Sequence, residues 1–421
     1  MKYLYLFIIL GVVSCQNNSS SRRDAAKMDV SMDDSNIKDI EVDSTEFITL
    51  KVKDAKVIKD IGELIEDIQY IPLETNNNSL IGRIDKMIFH NGRFYLLDSR
   101  VALSVFIFNE DGSHYRTIKN VGRGPQEYLS LKNMTIDKYN DELVLYDRND
   151  GLLHYYDLDG NFKKKERCGV RFDDIVRINK EDFLVCLAGD WNIHIPSVEN
   201  YYFIIGNPSG KVDITGELEQ TGEIKQRGFY LDNFDRKPPS SSITQTHIYG
   251  DGILLSVPFS NRIYYISPSG KVSLRYQFIF ENGSPQIYRN IRDSRDIQNF
   301  HKEMSARKIE YLLGHKIEET DNYLLVRMTT SGEPIRHFIY YKNAKMSFIT
   351  TKEFIPSRTL SSMSPEFTDG NSFYSFTTYT TIKDHAKGEA QFPDNWKMPE
   401  VLDKVDESDN PILIRFTLKA E

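Results

Sequence analysis

Hydrophobic positions along this chain gather into short runs separated by tight turns, and between Ile84 and Arg167 one order of runs occurs twice. The first copy reads IDKMIFHNGRFYLLDSRVALSVFIFNEDGSHYRTIK, and the second reads NMTIDKYNDELVLYDRNDGLLHYYDLDGNFKKKER. Each has four apolar or alternating runs. A turn follows the first run (Asn91-Gly92; Asn140-Asp141) and another follows the third (Asp111-Gly112; Asp159-Gly160). Such turns between β-rich runs predict hairpins. The turn glycines continue at Gly210 and Gly270, each after an aromatic-rich run. A four-strand unit at this period predicts a propeller blade. A β-sandwich is the alternative, but sandwich strands do not repeat their turn chemistry in register.

Further units start at Phe172, Ile243, Tyr323 and Ser372, which predicts an all-β, six-bladed propeller of four-stranded antiparallel blades. The third unit has strands at Phe183–Leu187 and Tyr201–Ile205, and its Pro208-Ser209-Gly210 turn leads to a fourth strand at Lys211. Blade six supplies only three strands. The N-terminal run Ile68 to Leu73 is predicted to complete it as the outer strand against Ile412 to Leu418, where Pro72 is tolerated at an edge. One segment departs from the β pattern. Across Gly283 to Lys316, Ile287, Ile291, Ile297, Phe300, Met304, Ile309 and Leu312 recur at mostly helical spacing. That predicts an amphipathic helical insertion between blades four and five.

The N-terminus reads as an address. Lys2, an apolar run from Tyr3 to Val13, and Ser14-Cys15 look like a secretory signal too short to span a membrane. Val12-Val13-Ser14-Cys15 resembles a bacterial lipobox, which implies cleavage before Cys15 and lipidation of its sulfur. The alternative is an ordinary signal with a chance cysteine. The expected organisation is a signal peptide over 1–14, a lipidated flexible tether over 15–44 and a propeller over 45–421. Acylated Cys15 would hold the protein to the lipid bilayer of the bacterial envelope, at the outer membrane. The net charge of −8 argues against a nucleic-acid partner. Cys168 and Cys186 read as buried thiols in preference to a disulfide.

Three features together resemble a known family: Tyr70-Ile71-Pro72-Leu73-Glu74, the Phe108-x-x-Asp111-Gly112 turn, and Gly122-Arg123-Gly124-Pro125-x-Glu127-Tyr128. They are similar to those of the six-bladed propeller lipoproteins of Bacteroidota-type bacteria, related to NHL and TolB-like propellers. The resemblance covers about Ile68 to the C-terminus. It implies fold and envelope location, since most such proteins have no assigned activity.

Candidate chemistry lies on the face shared by the loops from strand 2 to 3 and from strand 4 to the next blade. The Gly122–Tyr128 loop lacks the helix and lysine of a phosphate-binding loop. Its two readings are a tight reversal in which Arg123 pairs with Glu127, and a ligand contact through Arg123 or Tyr128. Arg100, Arg148, Arg262 and Arg336 recur in the 2-to-3 loops. They suit either local ion pairs, with Arg100 on Asp98 and Arg148 on Asp147 or Asp150, or a ring for an anionic ligand. Trp191, beside His194, and Trp396 either stack on a sugar or peptide or pin their own loops. The long segments Gly216–Ser242, Ile279–Lys316 and Tyr379–Asn410 are expected to wall a pocket on this face. No catalytic, metal-binding or cofactor motif stands out. The chain therefore reads as a binding module for an unknown small-molecule, glycan, peptide or protein ligand. The rival reading is a channel-centred hydrolase or lyase holding a metal between inner strands.

Overall fold

The computed structural model describes residues 32–59, 61–187, 192, 194–198, 201–212, 218–220, 222–230, 246–256, 260–283, 299, 302–351, 365–387, 400 and 403–419. Their strands form six sheets in a ring, a six-bladed propeller. The inner strands are Lys86–His90, Asn133–Asp137, Phe172–Arg177, His247–Tyr249, Glu310–Glu319 and Phe367–Asp369. Blade one then steps outward through Arg93–Asp98, Ser104–Asn109 and His114–Ile118.

The middle strands read as nearly continuous apolar runs because both faces of each blade are buried. In blade one, Tyr95, Leu97, Val105 and Ile107 pack on Met134, Leu143 and Leu145 of blade two. Their alternates Phe94, Leu96, Phe106 and Phe108 pack on Tyr374 and Leu413 of blade six. Six such apolar clusters occur among the described residues, one between each pair of neighbours.

The ring closes as the sequence predicts. Ile65–Pro72 runs antiparallel to Ile412–Leu418, with Ile412 opposite Pro72 and Phe416 opposite Ile68. Two of the sequence features quoted above meet at this joint. The Glu74 amide donates to the Gly112 carbonyl at 2.9 Å, and a Glu74 carboxylate oxygen accepts the His114 amide at 2.8 Å. Gly112 has φ +87°, and a Cβ there would lie 2.2 Å from the Pro72 carbonyl oxygen. Only glycine satisfies both constraints.

Three expectations change. First, blade three takes Gly222–Tyr230 as its outer strand; Ser209–Val212 crosses to the edge of blade two, where Gly210 lies opposite Arg167. The nine-residue strand can match the whole of Tyr201–Asn207, and the four-residue one cannot. Second, part of the predicted helical insertion is strand. Residues 302–306 are helical and 284–298 lie outside the described residues, but Leu312 belongs to Glu310–Glu319 and is buried between blades four and five. Third, residues 32–58, including part of the stretch read as tether, follow the rim. Met32–Asp33 and Lys38–Asp39 pair in parallel with blade three, Val42–Asp43 and Ile48–Lys51 with blade four, and Lys56–Ile58 with blade five. Cys168 and Cys186 are buried and are not joined in a disulfide.

Two histidines are sealed between sheets. Burial pulls the His154 imidazole down to about 4 and the His337 imidazole to about 3. The unfolded chain takes up those protons near pH 6.5, so below that pH it binds more protons than the folded chain. Stability should therefore be full above pH 6.5 and fall by a few kcal/mol as pH drops through about 4. Denaturant unfolding at pH 8, 6, 5 and 4 measures this. His154→Leu should flatten the fall, because both ring nitrogens of His154 lack a hydrogen-bond partner. Truncation tests the ring. Removing residues through 74 should abolish cooperative melting, removing those through 59 should lower the melting temperature, and removing 16–31 should leave it unchanged.

Candidate functional site

All six inner strands line one cavity of about 80 Å³, with Lys86, Thr135, Asp174, His247, Glu318 and Glu366 contributing one residue per blade. Polar groups on adjacent inner strands can meet here because the strands converge on the axis. On one side they form a saturated arc. Lys86 Nζ donates to Asp174 Oδ1 at 2.6 Å and to Asn133 Oδ1 at 2.9 Å. Asn133 Nδ2 also donates to Asp174 Oδ1, at 3.0 Å. The Thr246 amide and hydroxyl both reach Asp174 Oδ2 at 2.7 Å. Blades one to four are thus tied through a single carboxylate. Burial opposes the Asp174 charge, but the Lys86 ammonium and the bonds from Lys86 and Thr246 prevail, holding its carboxyl below the usual range.

The other side is unsaturated. His247 Nδ1 lies 3.4 Å from Glu318 Oε1, and the two side chains are 8% and 5% exposed. Among the described residues His247 Nε2 and Glu318 Oε1 have no hydrogen-bond partner. The neighbouring Glu319 gives the contrast, since successive strand residues point to opposite faces. Its carboxylate is met by Arg275 at 2.6 and 2.9 Å, by the Tyr276 hydroxyl at 2.7 Å and by Lys342 at 2.6 Å. Burial pulls the Arg327 guanidinium below its ordinary value, and the Glu366 charge works against that. Among the described residues no three His, Cys, Asp or Glu side chains gather as a metal site.

A family model described as a domain of unknown function, DUF4934, matches residues 47–417. The chain belongs to the DUF4934 family. Its propeller is similar to that of a protein of Bacteroides fragilis described as exported, with 18% identity and a TM-score of 0.63 over 89% of this chain and 100% of that one. More distant likenesses include a DUF4221-family member from Bacteroides vulgatus, with 10% identity and a TM-score of 0.48 over 85% and 97% of the two chains. Virginiamycin B lyase of Staphylococcus aureus follows, with 11% identity and a TM-score of 0.36 over 84% and 99%. At 18% identity the Bacteroides fragilis likeness speaks to fold alone. None of the curated proteins matches this DUF4934 chain.

The loop candidates are dispersed. Tyr128 is fully buried, its hydroxyl donating to the Leu103 and Ile118 carbonyls at 2.9 and 3.2 Å, and burial drives its pKa up. Glu127 accepts the Gly124 amide at 2.7 Å, so the reversal is held without the expected Arg123 pair, and Arg123 is exposed. Arg100 turns to Asp85 at 3.5 Å instead of Asp98, whose buried carboxylate caps the Gly82, Arg83 and Val101 amides. Arg336 is buried on Glu310 at 3.0 Å. Arg148 is half-buried, and its carbonyl accepts a bond from Arg171 at 2.9 Å; Asp147 caps the Leu129 amide. Arg262 is exposed, and His194 Nε2 lies 2.9 Å from the Gly169 carbonyl. Trp191, Trp396 and Cys15 lie outside the described residues. Sequence reasoning missed the channel residues. The available signal was a charged or titratable residue within otherwise apolar inner strands, as at Lys86 and His247.

Asp174→Ala should cost about 3–5 kcal/mol, because it strands the Lys86 ammonium. The double variant Lys86→Met/Asp174→Leu should recover most of that loss. Urea unfolding of the four members of the cycle measures the coupling.

Proposed function

We propose that this protein is an exported binding module of the cell envelope, anchored through acylated Cys15, that takes a small ligand in the propeller channel. One observation carries the reading. A cavity lined by every blade presents two buried polar atoms, His247 Nε2 and Glu318 Oε1, that are unpartnered among the described residues, while Asp174 in the same wall is saturated. Buried groups left unsatisfied are costly and mark places that an incoming molecule completes. The exported description of the Bacteroides fragilis likeness and the lipobox-like Ser14-Cys15 support the location.

A second reading, the channel-centred hydrolase or lyase, draws on the same pair. An imidazole with a carboxylate at one nitrogen and a free second nitrogen has the arrangement of a general base. Turnover would then accompany binding, and His247→Gln would abolish it.

Thermal shift of the full chain against monosaccharides, short peptides, amines and carboxylates tests the reading. At least one class should raise the melting temperature, and the shift should vanish in a Glu318→Gln variant that remains folded. A panel without any such compound would contradict a channel-binding role. For the anchor, Cys15→Ser should move the protein from the membrane to the soluble envelope fraction. Quantitative retention on the membrane would count against lipidation as the anchor.

A further inference from the structure

We infer that the channel ligand is a small organic cation, a primary ammonium compound, with the Glu318 carboxylate as its counter-ion. This rests on the channel being a binding site and names what it takes. Five inner-strand carboxylates are buried among the described residues: Asp137, Asp174, Glu310, Glu318 and Glu319. Four of them lie against a permanent cation. Asp137 has Arg177 at 2.8 Å, Asp174 has Lys86 at 2.6 Å, Glu310 has Arg336 at 3.0 Å and Glu319 has Arg275 at 2.6 Å. Among the described residues Glu318 has only the His247 imidazole, at 3.4 Å. A buried carboxylate without a permanent counter-charge is costly, and Glu318 lines the cavity beside His247, whose Nε2 is also unpartnered among the described residues.

The two unpartnered atoms share one chemistry. In the tautomer with Nδ1–H turned toward Glu318, the His247 ring offers a lone pair at Nε2, so both atoms are acceptors. An ammonium group is donor-only, with three N–H bonds and a positive charge, and fits both. A carboxylate or phosphate would meet two lone pairs and a like charge. Met87, Ile88, Ile175 and Ile248 in the cavity wall suit a short carbon chain, and a volume of about 80 Å³ limits the ligand to a few non-hydrogen atoms.

Calorimetric titration of the full chain with ethanolamine, ethylene glycol and glycolate compares cationic, neutral and anionic compounds of one size. Ethanolamine should bind at least about tenfold more tightly than either of the others. Glu318→Gln, which keeps the shape and removes the charge, should lose at least about that factor while melting at or above the wild-type temperature. Equal binding of glycolate or ethylene glycol would overturn the inference. So would undiminished ethanolamine binding by Glu318→Gln. If ethanolamine fails while another class from the thermal screen binds and depends on Glu318, the cation assignment falls and the channel site stands. If no class binds, both fall.

Discussion

The antiparallel joint between Ile65–Pro72 and Ile412–Leu418 is the constraint on which the rest depends. Every blade buries two faces, so an open ring would expose one whole apolar face of blade one and one of blade six. The joint removes both exposures at once, because Ile71 and Leu73 enter the cluster with Phe94, Phe106 and Phe108. Asn410 reinforces it by donating to the Glu74 and Ser79 carbonyls at 2.8 and 2.7 Å and accepting the Ile81 amide at 2.9 Å. Closure also fixes the width of the channel. The Lys86 ammonium reaches Asp174 two blades away only where the inner strands are drawn to a common axis.

Strand Glu310–Glu319 shows how one element serves both structure and site. Glu319 points into a set of cations and a tyrosine that fill its hydrogen-bonding capacity, which locks blade five to blade four. Glu318, one residue earlier, points the other way into a cavity with a single weak neighbour. Adjacent residues of one type thus differ because the pleat sends them into different surroundings. Rigid support on one face is what allows an unsatisfied carboxylate to persist on the other.

Much of the fold was legible because its signals are local. Asn91-Gly92, Asp111-Gly112 and Asp159-Gly160 are turn chemistry readable within a few residues, and Pro72 named an edge strand by what it cannot donate. The rim segment was not legible. Strands such as Lys38–Asp39 and Val42–Asp43 are too short and polar to show a period, and parallel pairing to residues 188 and 230 positions away leaves no turn to read. The channel was hidden for a related reason. Lys86, Asp174, His247 and Glu318 are widely separated in sequence, and each looks like an ordinary polar residue in a strand. The loop arginines were conspicuous by recurrence, but recurrence in a repeat is also how local ion pairs such as Arg336–Glu310 are copied.

The rim segment also has a consequence for the order of synthesis. Residues 32–58 leave the ribosome first, yet their partners in blades three, four and five lie beyond residue 221, and the partner of Ile65–Pro72 lies at the far end of the chain. Blades one and two can assemble as they emerge, since their strands pair with near neighbours in sequence. The leading segment has to wait, unpaired, until these partners are made: about half the chain for Met32–Asp33 and nearly all of it for Ile65–Pro72. The finished ring can therefore form only once the whole chain is available.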